Sequence, residues 1–175
     1  LQVWLMEGRD YRSANDAPDG PDKSIWGTAQ TTWLEKTLAE STSKFKVVIS
    51  PTPLVGPDRP NKADNHSNAA FATEGAAIRK LLASYPNTVS VCGDRHWQYH
   101  SLDPVTGLQE FSVGPASDRH AGGWDAKDFR EGIHQFLRVA GGYLEIELVK
   151  SDDSPSLILR HLDTHGAEQH STTLQ

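Results

Sequence analysis

One cysteine, one methionine and no long apolar run define this 175-residue chain by what it does without. A single thiol, Cys92, excludes any intrachain disulfide and leaves the redox compartment open. No stretch approaches the eighteen or so apolar residues that a membrane span needs. Positive charge is also short: 17 Lys and Arg stand against 23 Asp and Glu, a formal net charge of -6. No basic stripe is present to neutralise phosphates, so a nucleic-acid partner is not expected. A small phosphorylated substrate stays open, because a bound cation can supply local positive charge. The opening Leu1–Met6 is too short for a signal peptide and lacks its basic flank. It reads as a strand, with no initiator Met, as if cut from something longer.

What remains is enough for one domain or part of one, with a sizeable core. Leu1–Met6 and Phe45–Ile49 are apolar runs of strand length. Between them a helix is predicted from about Thr28 to Ser41, with Thr28 as N-cap and Trp33, Leu34, Thr37 and Leu38 facing the core. A second helix is predicted over about Ala69–Ser84, with Ile78, Leu81 and Leu82 inward and Ser67 or Asn68 as cap. It leads through Tyr85-Pro86-Asn87 into a buried strand, Val89–Cys92. Two strand–helix–strand units in a row favour a parallel sheet. Beyond it, Ser101–Gly107 reads as a hairpin turn and Leu108–Val113 as a strand ending in a loop, Gly114–Ser117. His120–Gly132 is rich in glycine and charge and is expected to be mobile. Phe136–Val139, Tyr143–Val149, Leu157–His161 and Glu168–Thr173 alternate as antiparallel strands. Gly141-Gly142 and Asp152–Pro155 supply turns between them.

Asp94 and His96 follow the central strand directly, after Gly93. At the carboxyl end of a strand in an α/β sheet, side chains border a crevice where ligands bind. An extended Asp-x-His segment would point both groups the same way. A carboxylate and an imidazole so placed can ligate one metal or serve two neighbouring ones; the bland alternative is a capped turn. His100 lies close behind. Arg9 and Arg12 are candidates for gripping an oxyanion, or else surface residues paired with Glu7 and Asp10. The long, proline-rich segment Pro51–Asn68 is of a length that is usually functional or disordered. Its Asp64, Asn65, His66 and Asn68 could reach a metal or substrate, or form an Asx-rich helix cap.

Four segments together carry a resemblance. They are Glu7-Gly-Arg-Asp-Tyr-Arg-Ser13; Trp26-Gly-x-x-Gln-x-x-Trp-Leu34 with Phe45-Lys-Val-Val-Ile-Ser-x-x-Pro53; Asp64-Asn-His66; and Gly93-Asp-Arg-His96. The chain resembles the C-terminal half of the alkaline phosphatase D-like metallophosphoesterases, a calcineurin-like branch, from Leu1 to about Ser117. The resemblance implies an α/β sandwich of two packed sheets flanked by helices, with its N-terminal half missing. It implies hydrolysis of phosphate mono- or diesters at a pair of metal ions (Fe, Ca, Mn or Zn), with Asp94 on one ion and His96 on the other. The remaining ligands would come from upstream of Leu1, so the isolated chain is expected to hold half a site. Relatives often carry Trp and Asp-Gly-Tyr where this chain has Asp64-Asn-His66. The roles of His66 as ligand or leaving-group acid, and of Asn65 and Arg9 toward substrate, therefore come from residue chemistry. The rival readings are a phospholipase-like phosphodiesterase on the same scaffold and a non-catalytic module with an eroded site. The resemblance also implies export, with the signal upstream of Leu1; oligomeric state is not legible.

Overall fold

The computed structural model describes residues 1–151 and 154–175. Strands β1 (Gln2–Leu5), β2 (Lys46–Ser50), β3 (Thr88–Cys92) and β5 (Gln109–Val113) run parallel. Strand β4 (Gln98–Leu102) pairs antiparallel with β5, and β6 (His134–Arg138) antiparallel with β4, in the order β1-β2-β3-β5-β4-β6. A second sheet holds β7 (Gly142–Val149), β8 (Ser156–Asp163) and β9 (Glu168–Leu174), all antiparallel. Helices α1 (Gly27–Glu40) and α2 (Ala72–Ala83) complete the frame, α2 entered through a single 3₁₀ turn at Ala69–Phe71.

Alternation along the strands sends side chains to two separate cores. Trp4, Met6 and Val48 face the helices and pack with Trp26, Leu34, Leu38, Phe71, Ile78 and Leu82. Val47, Val89, Val91 and Phe111 face the other way and meet Leu157 and Leu159 of the second sheet. The result is two packed sheets with helices on one outer face. Strand β1 is an edge, with Val3 and Leu5 exposed.

Several expectations are corrected. Trp33 is 45% exposed and lies outside the core. Leu34 and Leu38 fill the inward stripe of α1, and Trp26, just before the helix, takes the aromatic place. Thr28 is not the N-cap: the helix starts at Gly27, whose N–H donates to the Ser24 hydroxyl. Asn68 stands at the N-cap before the Ala69–Phe71 turn but makes no side-chain cap; its amide instead clamps the preceding loop. The hairpin turn begins at Asp103, because Ser101 and Leu102 still pair within β4. Strand β6 belongs to the first sheet, a partition that alternation cannot show. The expected Asp152–Pro155 turn lies partly outside the described residues; Ser154 and Pro155 accept from the Lys44 ammonium.

Candidate functional site

Because β1, β2, β3 and β5 are parallel, their carboxyl ends form one rim. Segment Gly93–Trp97 crosses the end of β5 on that rim to reach β4. Asp94 and His96 therefore stand where the crevice rule places them, both exposed. The segment is not extended as expected. Asp94 adopts φ 63, the left-handed region, where a non-glycine residue costs roughly 1–2 kcal/mol. The turn falls on Asp94 and not on Gly93. Two adjoining hollows of about 450 and 460 Å³ share Asp94, Arg95, His96 and His120. The first is walled by Arg59, Lys62 and Asp64; the second is closed by Gly114–Ala116, the predicted third loop.

The organiser of the rim is Arg95, to which the sequence reading gave no role. Its guanidinium is buried, donates to Asp94 at 2.6 Å and Asp64 at 3.1 Å, and is ion-paired with Asp58 at 2.7 Å. Burial works against its charge, yet the three carboxylates outweigh burial and hold its pKa above the ordinary value. Asp58 is itself buried and ties the Pro51–Asn68 loop to the β3–β4 turn. Burial works to raise the pKa of Asp64, but bonds from Asn65 and Arg95 and the Lys62 charge bring it below the usual carboxylate value. The loop is anchored at its start by Glu110 of β5. That buried carboxylate accepts from the backbone N–H groups of Leu54 (2.6 Å), Val55 (3.1 Å) and Gly56 (2.8 Å) and from Tyr99 at 2.9 Å. Nothing local in the sequence marks Asp58 or Glu110, since their partners lie far along the chain.

Three sequence candidates sit elsewhere. His66 is fully buried against Trp26 and Phe71, its Nε2 2.8 Å from Glu74. It lines neither hollow. Glu74 carries that ring along with the Ser24 hydroxyl and the Ile25 N–H; burial notwithstanding, these bonds hold its pKa low. Asn65 is also fully buried, and its amide is spent on Asp58 at 2.9 Å and Asp64 at 3.0 Å. It shapes the loop and lines neither hollow. Arg9 is exposed, in a turn whose backbone N–H groups donate to Glu7, and lines neither hollow. Arg12 lies nearer. Burial and the Arg9 charge lower its proton affinity, while the carboxylates of Asp64 and Asp94 act against them. His100 points between the sheets, 3.1 Å from His170.

Among the described residues, no three His, Cys, Asp or Glu converge as a metal site would require. Asp94 and His96 offer two donors to one cleft, and Asp94 is already ion-paired. Such a pair fits one wall of a metal centre and not a complete one. No helix among the described residues is long and apolar enough to cross a membrane.

Comparisons bear on this geometry. A solved structure of PhoD aligns with a TM-score of 0.64 at 15% identity, covering 99% of this chain and 42% of that one. The purple acid phosphatase PPD1 from yellow lupin (Lupinus luteus) seeds aligns at 0.57 and 16% identity, over 84% of this chain and 28% of its own. The chain thus spans under half the length of these structures, which share its fold. No curated protein matches. The family model described as PhoD-like phosphatase matches residues 1–143, and on that evidence the chain belongs to the PhoD-like phosphatase family.

Proposed function

We propose that this chain is the C-terminal portion of a phosphoester hydrolase and forms one wall of its active cleft. The observation that carries the reading is the pairing of Asp94 and His96 on the carboxyl rim of a parallel sheet, in a cleft bordered by cations, in a PhoD-like chain. Asp94 and His96 would be this chain's donors to a metal centre, the others coming from polypeptide outside the matched span. A cation held there supplies Lewis-acid charge to the phosphoryl oxygens. The chain's own contribution is positional. Arg95 fixes Asp94 on the rim, and the Asp58–Asp64 loop fixes Arg95. Export and the identity of the metal belong to the same proposal and rest on the family alone.

The test is turnover of an aryl phosphate by the full-length protein. Asp94→Ala and His96→Ala should each reduce kcat by at least about a hundredfold, the scale of losing one group that stabilises the transition state. Unchanged turnover in either variant defeats the assignment. The isolated 175-residue chain should be inactive. One observation favours a second reading, a non-catalytic binding module: no complete ligand set lies among the described residues. Metal analysis of the purified full-length protein separates the two, since an eroded site would carry none.

A further inference from the structure

The reading above leaves two cations of the cleft without a task. Arg59 and Lys62 come from one turn, closed by the Lys62 N–H donating to the Arg59 carbonyl at 3.1 Å. The Asn68 amide clamps that turn at both ends, donating 2.8 Å to the Arg59 carbonyl and 2.8 Å to that of Lys62. The Arg59 guanidinium lies 5.5 Å over the ring of Trp97, which is stacked at 5.4 Å on Trp124. Gly123 closes in beside both groups: a Cβ there would stand 3.0 Å from the Arg59 Nη1 and 3.6 Å from the Trp97 ring. The guanidinium is therefore held in place before any ligand arrives, which lowers the entropic cost of using its fork.

Its charge is only partly compensated internally. The near carboxylate, Asp58, is 3.6 Å away and commits its other oxygen to Arg95 at 2.7 Å and Asn65 at 2.9 Å. The buried Arg59 Nε has no hydrogen-bond partner among the described residues. Lys62 has no carboxylate within 4.0 Å among the described residues. Arg95, by contrast, is already surrounded by three acids. A planar fork and an ammonium on one rigid turn match two adjacent oxyanions. A phosphodiester with a single negative charge would leave one of the cations unmatched.

We propose that the Arg59–Lys62 turn is an anion subsite, and that the cleft selects phosphate esters bearing a second phosphoryl group. The ester half of this statement rests on the phosphoesterase reading; the anion subsite does not. The test is calorimetric titration of the 175-residue chain, in EDTA, with inorganic pyrophosphate and with inorganic phosphate. Pyrophosphate should bind at least tenfold tighter than phosphate. Arg59→Gln and Lys62→Gln should each weaken pyrophosphate about tenfold, and Arg59→Lys should restore Arg59→Gln only in part. Lys36→Gln, on the exposed face of α1, should change nothing. Thermal melts confirm that each variant is folded, and Arg59→Lys keeps the charge should Arg59→Gln fail to fold. Equal affinity for the two anions, or unchanged affinity in both glutamine variants, overturns the subsite. If pyrophosphate binds as described while the full-length protein hydrolyses no phosphoester, the subsite stands and the phosphoesterase reading falls. If hydrolysis proceeds with no preference for diphosphate esters, and Arg59→Gln does not alter it, the ester selection falls and the phosphoesterase reading stands.

Discussion

Taking the chain from about pH 8 to about pH 5 should cost some 4 kcal/mol of folding stability, through two buried histidines. His100 and His161 lie between the two sheets. His100 is stacked 4.2 Å from Phe111, and its Nε2 donates to Gln109 at 3.0 Å while its Nδ1 meets His170 at 3.1 Å. Phe136 of β6 packs 5.0 Å from His161, and Thr172 of β9 reaches His100 at 3.3 Å. Burial first, and the neighbouring His170 second, push the pKa of His100 down to about 4. Burial pushes His161 to about 3, with His170 and His100 adding to the effect and the Ser112 carbonyl opposing it. Among the described residues no carboxylate compensates this pair; Glu168 acts on His170. Both folded values lie below the ordinary 6.5, so between them the unfolded chain binds more protons and stability falls as pH falls. At about pH 5 each histidine has lost roughly 1.5 pH units of the gap, about 2 kcal/mol apiece. That is a large share of the roughly 5–15 kcal/mol of a typical domain. Asp64 and Glu74, also held low, contribute only below their ordinary 3.8 and 4.5, so the range from pH 7 to 5 isolates the histidines. Urea unfolding followed by tryptophan fluorescence measures the slope. His161→Leu should lower stability at pH 8, by removing the bond to the Ser112 carbonyl, yet flatten the pH dependence by about 2 kcal/mol. A double variant, His161→Leu with His100→Gln, that keeps the wild-type slope would refute the reasoning.

Other outcomes follow from the same geometry. Glu110→Ala strands three backbone N–H groups and the Tyr99 hydroxyl, and should cost about 3–5 kcal/mol; limited proteolysis should then open the 51–68 loop first. Arg95→Met leaves buried Asp58 with Arg59 alone, 3.6 Å away, so chemical denaturation should show a loss of about 3–5 kcal/mol. Asp94→Gly and Asp94→Ala should be equally inactive in the full-length protein, but their melting curves should differ. Glycine accepts φ 63 freely, so Asp94→Gly should be the more stable by about 1 kcal/mol.

The strands around Val47 and Val89, both helices and the rim position of Asp94-Arg95-His96 were legible in the sequence. Each rests on periodicity within one segment, and parallel strand–helix–strand units place strand ends together whatever the details. Element edges moved by a residue or two wherever a bond from elsewhere decided them, as Ser24 did for α1. The site was less legible. His66 looked like a free imidazole because it follows Asp64-Asn65 in a long loop, but Glu74 on the helix that follows and Trp26, far back in the chain, hold it inside. Trp33 kept the spacing of a core residue, yet Trp26 occupied that space first. The sequence alone settled which segments are strands or helices and which rim bears the acidic and imidazole groups, since those follow from local pattern and chain connectivity. Only the tertiary structure decided which charges are spent and which are free. Arg95 is neutralised by acids one, 31 and 37 positions away while Arg59 is held open over Trp97, and burial and pairing at such distances along the chain are set by packing alone.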